Sequence, residues 1–194
     1  MSEQPQLPGI RTARDVLDEM DHPTRTNFRN DGRGFQSEIA ASADAYEQRG
    51  IARLKKADPP VRVFWKGGKQ QVIFLANPWP DFIGTWTKHG GRMLCVEAKS
   101  IESGRLKVDA SGGLSSTQWS AMKSWRRAGA ACCVLWRRRG EVKLYTPEMI
   151  QDALASGDRS LVFDVGLPVP QGQGMIIWDF LSVLETALWP AIKG

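Results

Sequence analysis

The stretch Met93-Leu94-Cys95-Val96-Glu97-Ala98-Lys99 alternates with a period of two. Successive side chains on a strand point to opposite faces, so Leu94, Val96 and Ala98 line one side while Cys95, Glu97 and Lys99 line the other. One face of this strand is core and the other carries charge. The flanking sequence supplies partners for it. A helix starts near Gly34, with Phe35, Ile39, Ser42 or Ala43 and Tyr46 at helical spacing and Gly50 as its stop. Short strands follow at 51–55, 61–65 and 71–76, the last two joined by the turn Lys66-Gly67-Gly68-Lys69. Pro80-Asp81-Phe82-Ile83 reads as a strand running into Gly84, and a connector holding Gly90-Gly91 leads back to 93–99. Beyond a polar loop at 103–114 the pattern predicts a helix over 116–128 that buries Trp119, Met122 and Trp125. It then predicts an apolar strand at 130–136, a turn from Arg137 to Gly140 and a strand at 141–145. Thr146-Pro147 is an N-cap followed by a first-turn proline, opening a helix that ends by Gly157.

These elements amount to one α/β domain over 35–194, a mixed β-sheet flanked by helices with a short protruding hairpin at 61–76. The segment 1–34, rich in Pro, Gly, Asp and Arg, reads as a flexible arm with a short helix through 13–20. The tail to 194 mixes short apolar pieces and turns. A chain of 194 residues suits one domain with appended arms better than two full domains. No apolar run approaches the ~18 to 20 residues of a membrane span. The opening MSEQPQLPGI lacks the basic-then-apolar form of a signal peptide, so the expected location is a cytoplasm, bacterial or that of a host cell if the chain is virus-encoded.

Composition narrows the chemistry. Cys95, Cys132 and Cys133 are odd in number, have no C-x-x-C spacing and are joined by only two histidines, His22 and His89. Neither a disulfide framework nor a zinc site can be assembled from that set, and catalysis is left to carboxylates and lysine. Net charge is +5, unevenly distributed. Residues 61–139 carry 14 basic groups against four acidic ones, while the segments on either side are near neutral or acidic. A positive middle suits a polyanion, nucleic acid first, although a solvated basic face has the same composition.

The carboxylates are arranged to hold a cation. If Asp81 ends one strand of a hairpin and Glu97 lies on its partner, both can ligate one Mg²⁺, with Lys99 two residues on and on the same face. That set suits phosphodiester hydrolysis, the cation neutralising the phosphate and the lysine orienting water or stabilising developing charge. The chain carries its own control, since Glu141-Val142-Lys143 repeats the E-x-K pattern without an upstream Pro-Asp and reads as an exposed strand face. Gln118 follows Ser115 by three, the spacing of a capping box. The hairpin at 61–76 holds Arg62, Lys66 and Lys69 with no acidic residue and carries Trp65 beside its Gly-Gly tip, a positive projection with an aromatic suited to unstacked bases. A plain surface hairpin whose lysines blunt an exposed edge accounts for the same residues.

The sequence resembles the PD-(D/E)xK nuclease superfamily, and within it the RecU-type Holliday junction resolvases. The blocks that carry the resemblance are Gly32-Arg33-Gly34-Phe35-Gln36-Ser37-Glu38-Ile39, Tyr46, Gly50-Ile51-Ala52, Pro80-Asp81-Phe82-Ile83-Gly84, Glu97-Ala98-Lys99, Gln118 and 129–135, with a weaker echo at Trp178-Asp179-Phe180-Leu181. The resemblance implies a restriction-endonuclease-like fold and a homodimer that resolves four-way DNA junctions by paired nicks, with Mg²⁺, or Mn²⁺ as substitute, in each site. Asp81 and Glu97 would be metal ligands, Ala98 would add its backbone carbonyl, Lys99 would be the catalytic lysine, and Glu38 would complete the site from the helix. Arg33, Arg62, Lys66, Lys69 and Gln118 are the expected DNA-binding set. The chain departs from the resolvase pattern twice: the stretch matching the family's long stalk is short, and the loop at 103–117 lacks the usual Phe and His. A restriction or repair nuclease of the same superfamily, or a non-catalytic DNA-binding protein on the same fold, are the alternatives.

Overall fold

The computed structural model describes residues 33–58, 61–74, 79–110 and 112–189. The arm expected over 1–34, with its short helix through 13–20, lies outside those residues except for its last two. Helix α1 spans Arg33–Gln48, and Gly50 terminates it at a φ of 66°, where a side chain would be strained. Then come β1 (Arg53–Lys56), β2 (Val61–Lys66), β3 (Lys69–Phe74), β4 (Phe82–Trp86), a 3₁₀ turn at Thr87–His89, β5 (Arg92–Ser100) and β6 (Leu106–Lys107). The second half holds α2 (Ser116–Arg127), β7 (Ala131–Arg138), β8 (Glu141–Tyr145), α3 (Pro147–Ala155), β9 (Ser160–Leu161), β10 (Leu167–Val169) and α4 (Phe180–Leu188).

Six strands form one mixed sheet in the order β1-β4-β5-β7-β8-β10. All neighbours are antiparallel except β5 and β7, which run parallel from Leu94 against Ala131 to Ser100 against Arg137. A parallel pair needs a crossover, and α2 supplies it over one face. The period-two pattern then sorts the core. On the back face Phe82, Leu94, Val96, Ala98, Cys133 and Leu135 pack against Phe35, Ile39, Ala43 and Tyr46 of α1 and Phe180, Leu181 and Leu184 of α4. On the front face Cys95, Cys132, Val134 and Trp136 pack against Trp119 and Met122 of α2 and Ile150 of α3. The mixed sheet flanked by helices is the architecture expected from the sequence. The three cysteines are buried and free.

Several boundaries differ from the sequence reading for definable reasons. Strand β7 runs on through Arg138, so the turn contains only Arg139 and Gly140, with Arg139 at a φ of 50°. Arg137 is therefore a strand residue with a fixed direction. The tail contains α4, whose Phe180, Leu181 and Leu184 follow a short helical stripe that the flanking turns obscure. Inside the loop expected to be irregular, β6 pairs with β9. The 3₁₀ turn is clasped to α4, because Glu185 accepts from Lys88 Nζ at 2.9 Å and pairs with His89 at 3.0 Å, while His89 stacks on Trp189.

The strand read as running into Gly84 continues through it to Trp86, so Gly84 is a mid-strand residue of β4. It sits opposite Leu54, and a Cβ built on it would lie 1.9 Å from the Arg53 carbonyl oxygen and 2.7 Å from the Leu54 Cα. Only glycine lets β1 close on β4. Gly84→Ala is expected to destabilise the fold by about 3 kcal/mol or more, roughly 6 to 12 °C in Tm, by thermal denaturation.

Candidate active site

Asp81 stands immediately before β4, and its carbonyl oxygen accepts from Ala57 N at 2.8 Å, which extends the β1–β4 ladder by one step. One strand over, Glu97 projects from β5 to the front face. The two residues lock each other through main-chain donors: Asp81 N donates to Glu97 Oε2 at 3.2 Å, and Ala98 N donates to Asp81 Oδ2 at 2.9 Å. The carboxylates are thus held together by main-chain donors, one on β5 and one at the entry to β4.

Glu97 has a side chain only 1% exposed. Burial, reinforced by the adjacent charge of Asp81, pushes its carboxyl from the ordinary 4.5 up to about 7, against the opposing pull of Lys99. Lys99 Nζ lies 2.8 Å from Glu97 Oε1 and donates to Gln118 Oε1 at 3.1 Å. Gln118, in the first turn of α2, also donates through Nε2 to Glu97 Oε1. Asp81, Glu97, Lys99 and Gln118 form one connected group at the front of β4 and β5.

Glu38 is elsewhere. Alpha-helix α1 covers the back face, and the Glu38 carboxylate is gripped there by Arg137, with NH1 2.7 Å from Oε1, and by the Trp178 indole, whose Nε1 donates to Oε2 at 2.7 Å. Arg137 also lies over the Phe35 ring. The weak echo at Trp178-Asp179-Phe180-Leu181 docks on the same helix. The Tyr46 hydroxyl donates to Asp179 Oδ1 at 3.0 Å and accepts from Leu181 N, and the Tyr46 ring meets Phe180 edge-on at 5.3 Å. Arg137 and Trp178 escaped the sequence reading as partners of Glu38. Nothing in the sequence singles out one arginine of Arg137-Arg138-Arg139, and Trp178 is distant along the chain.

The proposed DNA contacts fall apart into groups. Arg62, Lys66 and Lys69 are exposed on the β2–β3 ribbon, which forms a two-stranded sheet of its own, with Trp65 72% exposed. Gln118 points inward at the carboxylate and lysine. Trp79 packs against Trp125 with ring centroids 5.3 Å apart. Arg33 opens α1, but its side chain lies outside the described residues.

Two buried or half-buried carboxylates with an adjacent ammonium fit a hard divalent cation. Mg²⁺ takes oxygen ligands and commonly uses one or two carboxylates, completing its octahedron with water and substrate phosphate. The like charges of Asp81 and Glu97 gain from a cation between them. Among the described residues no three His, Cys, Asp or Glu side chains gather as a metal cluster.

No protein-family model matches the chain, and no curated protein matches it. Among solved structures it is similar to Hjc, a Holliday junction resolvase from the archaeal hyperthermophile Archaeoglobus fulgidus. That match has 13% identity over 67% of this chain and 94% of that one, with a TM-score of 0.42. It is also similar to the protein SSO0001, at 12% identity over 84% of this chain and 72% of that one, with a TM-score of 0.29. No helix among the described residues is long and apolar enough to cross a membrane.

The raised carboxyl of Glu97 has a measurable consequence for stability. Between its ordinary 4.5 and about 7 the folded chain binds a proton that the unfolded chain has lost, so stability falls as pH rises through that window and stays lower above it. Glu97→Gln removes the buried charge. In chelator, the Tm of Glu97→Gln relative to the parent protein is expected to be more favourable at pH 8 than at pH 5, by calorimetry at matched ionic strength.

Proposed function

We propose that this chain is a Mg²⁺-dependent, structure-selective DNA endonuclease of the RecU type that resolves four-way junctions by paired nicks. The observation that supports this most directly is the convergence of Asp81, Glu97 and Lys99 on one face of adjacent strands, with the Glu97 carboxylate buried and shared with the lysine. Asp81 and Glu97, with the Ala98 carbonyl, would hold the ion. Mg²⁺, when bound, supplies charge neutralisation at the scissile phosphate and acidifies an attacking water. Lys99 stands beside Glu97 with its ammonium shared between two acceptors. From there it orients the water or donates to the phosphoryl oxygen where negative charge develops. In-line attack leaves a 5′-phosphate and a 3′-hydroxyl. A homodimer would present two such sites to opposing strands of the junction.

Asp81→Asn, Glu97→Gln and Lys99→Ala are each expected to lower the cleavage rate by about 10²-fold or more, since each strips interactions made to the developing charge, while DNA binding persists. Lys143→Ala, in the second E-x-K, leaves cleavage unchanged. Near-native cutting by Asp81→Asn defeats the assignment. Mg²⁺ or Mn²⁺ supports turnover, and Ca²⁺ supports binding without it. Cleavage of a four-way junction, a flap, a duplex and a single strand at equal concentration, with products mapped, separates a resolvase from another nuclease of the superfamily. An absence of any cutting with Mg²⁺ leaves only the DNA-binding alternative.

The ribbon β2–β3 carries the expected selectivity. Lys66 and Lys69 face each other across its last ladder pair, an arrangement of like charges that costs stability unless a polyanion relieves it. Lys66→Ala combined with Lys69→Ala is expected to weaken junction binding more than duplex binding and to reduce the salt dependence by about two counterions, measured by titration over a range of salt. Equal losses on junction and duplex reduce the ribbon to a general phosphate contact.

A further inference from the structure

Gln118 is held by more hydrogen bonds than a helix cap requires. Ser115 is the N-cap of α2, and its hydroxyl accepts from Gln118 N at 3.3 Å while the Gln118 side chain returns to Ser115 N at 3.1 Å, a complete capping box. The same Oε1 also accepts from the Ser115 hydroxyl at 3.2 Å and from Lys99 Nζ at 3.1 Å, while Nε2 donates to Glu97. The amide's orientation follows from these partners. Reversed, its NH₂ would face three donors and its oxygen would face a carboxylate.

The consequence is mechanical. Lys has four rotatable bonds and three donors, and a buried carboxylate two residues away would by itself draw the ammonium to the shortest contact. Gln118 divides that ammonium between two acceptors and holds the Glu97 oxygen through the other end of the same planar amide. Its own place is set by the cap, which α2 forms as it crosses from β5 to β7. We infer that Gln118 is the positioning residue of the site, a rigid spacer that fixes Lys99 relative to Glu97 and takes its register from the α2 N-cap, and not a contact to DNA. This inference rests on the nuclease reading for its catalytic consequence, but the spacer itself is a property of the metal-free protein.

Three variants test it. Gln118→Glu keeps the capping box, because Glu serves at that position as Gln does, but turns the donor facing Glu97 into a second carboxylate. It is expected to lower kcat on the preferred DNA by about tenfold or more, with KM within about threefold, as removal of one preorganised contact does. Gln118→Met removes the amide and with it the side-chain half of the capping box, leaving the bond from the residue-118 backbone N to the Ser115 hydroxyl, and Thr146→Ala, which removes the N-cap hydroxyl of α3 bonded to Met149 N, is its stability control. In chelator, acylation of the Lys99 amine by a soluble acetylating ester, read by mass spectrometry against Lys143, is expected to accelerate about fivefold or more in Gln118→Met and not in Thr146→Ala, since loss of the Gln118 acceptor frees the Lys99 side chain to swing out toward the reagent. Parental kcat in Gln118→Glu, or equal Lys99 acylation in Gln118→Met and Thr146→Ala, overturns the inference and leaves Gln118 a cap. A rise in KM without loss of kcat overturns it in favour of a DNA contact. Parent protein that cuts no DNA defeats the nuclease reading, and the acylation comparison then decides the spacer alone.

Discussion

The parallel pairing of β5 with β7 is the constraint from which the remainder of the architecture follows. Seven consecutive residue pairs, Leu94 with Ala131 through Ser100 with Arg137, bind two strands that cannot be joined by a tight turn. The chain must leave the sheet, cross a face as α2 and return. That crossing brings the N-terminus of α2 above Glu97 and Lys99, and it closes the front face over Cys95, Cys132, Val134 and Trp136. Because side chains alternate, the same pairing sends Ala98 and Leu135 to the back, where α1 and α4 cover them.

The pairing also explains why Glu38 and Glu97 have different surroundings. A helix on the back face reaches residues of odd and even register differently from one on the front. Arg137, next in line after Trp136, points to the back and meets α1. The resulting clamp of Glu38, Arg137 and Trp178 joins α1, the central sheet and the approach to α4. Its strength comes from a charge-assisted contact in a half-buried setting, and Ser42 adds to it by accepting from the Ile177 and Trp178 amides.

Much of this was legible in the sequence where a local rule was unambiguous. Alternation in 93–99 identified β5 and its two faces, helical spacing identified α1, and Thr146-Pro147 marked the start of α3 within one residue. The candidate carboxylates and lysine were found the same way, by combining a strand pattern with an upstream Pro-Asp. Features that depend on distant partners were not legible. Gly84 looks like the end of a strand until β1 is laid beside it, Arg137 looks like part of a basic turn until β7 is extended, and the second role of Gln118 exists only once α2 lies over β5. Local propensity shows which residues cap and alternate, whereas the crossover decides what they touch.

Two strand pairs stand outside the six-stranded sheet: β6–β9, which buries Leu106 and Leu161, and the β2–β3 ribbon, which is exposed. Among the described residues the ribbon shares no ladder with the six-stranded sheet, and Val61, Val63, Trp65 and Val72 leave roughly half or more of their surface in water. A two-stranded ribbon without a covering layer is marginal in water. Its amide protons should therefore exchange with solvent through small openings of the ribbon alone, while those of β5 and β7 wait for the whole fold to come apart. The conformational entropy that such a ribbon retains in the free protein would be lost when it is held, so its grip on any ligand is tempered by the cost of becoming ordered.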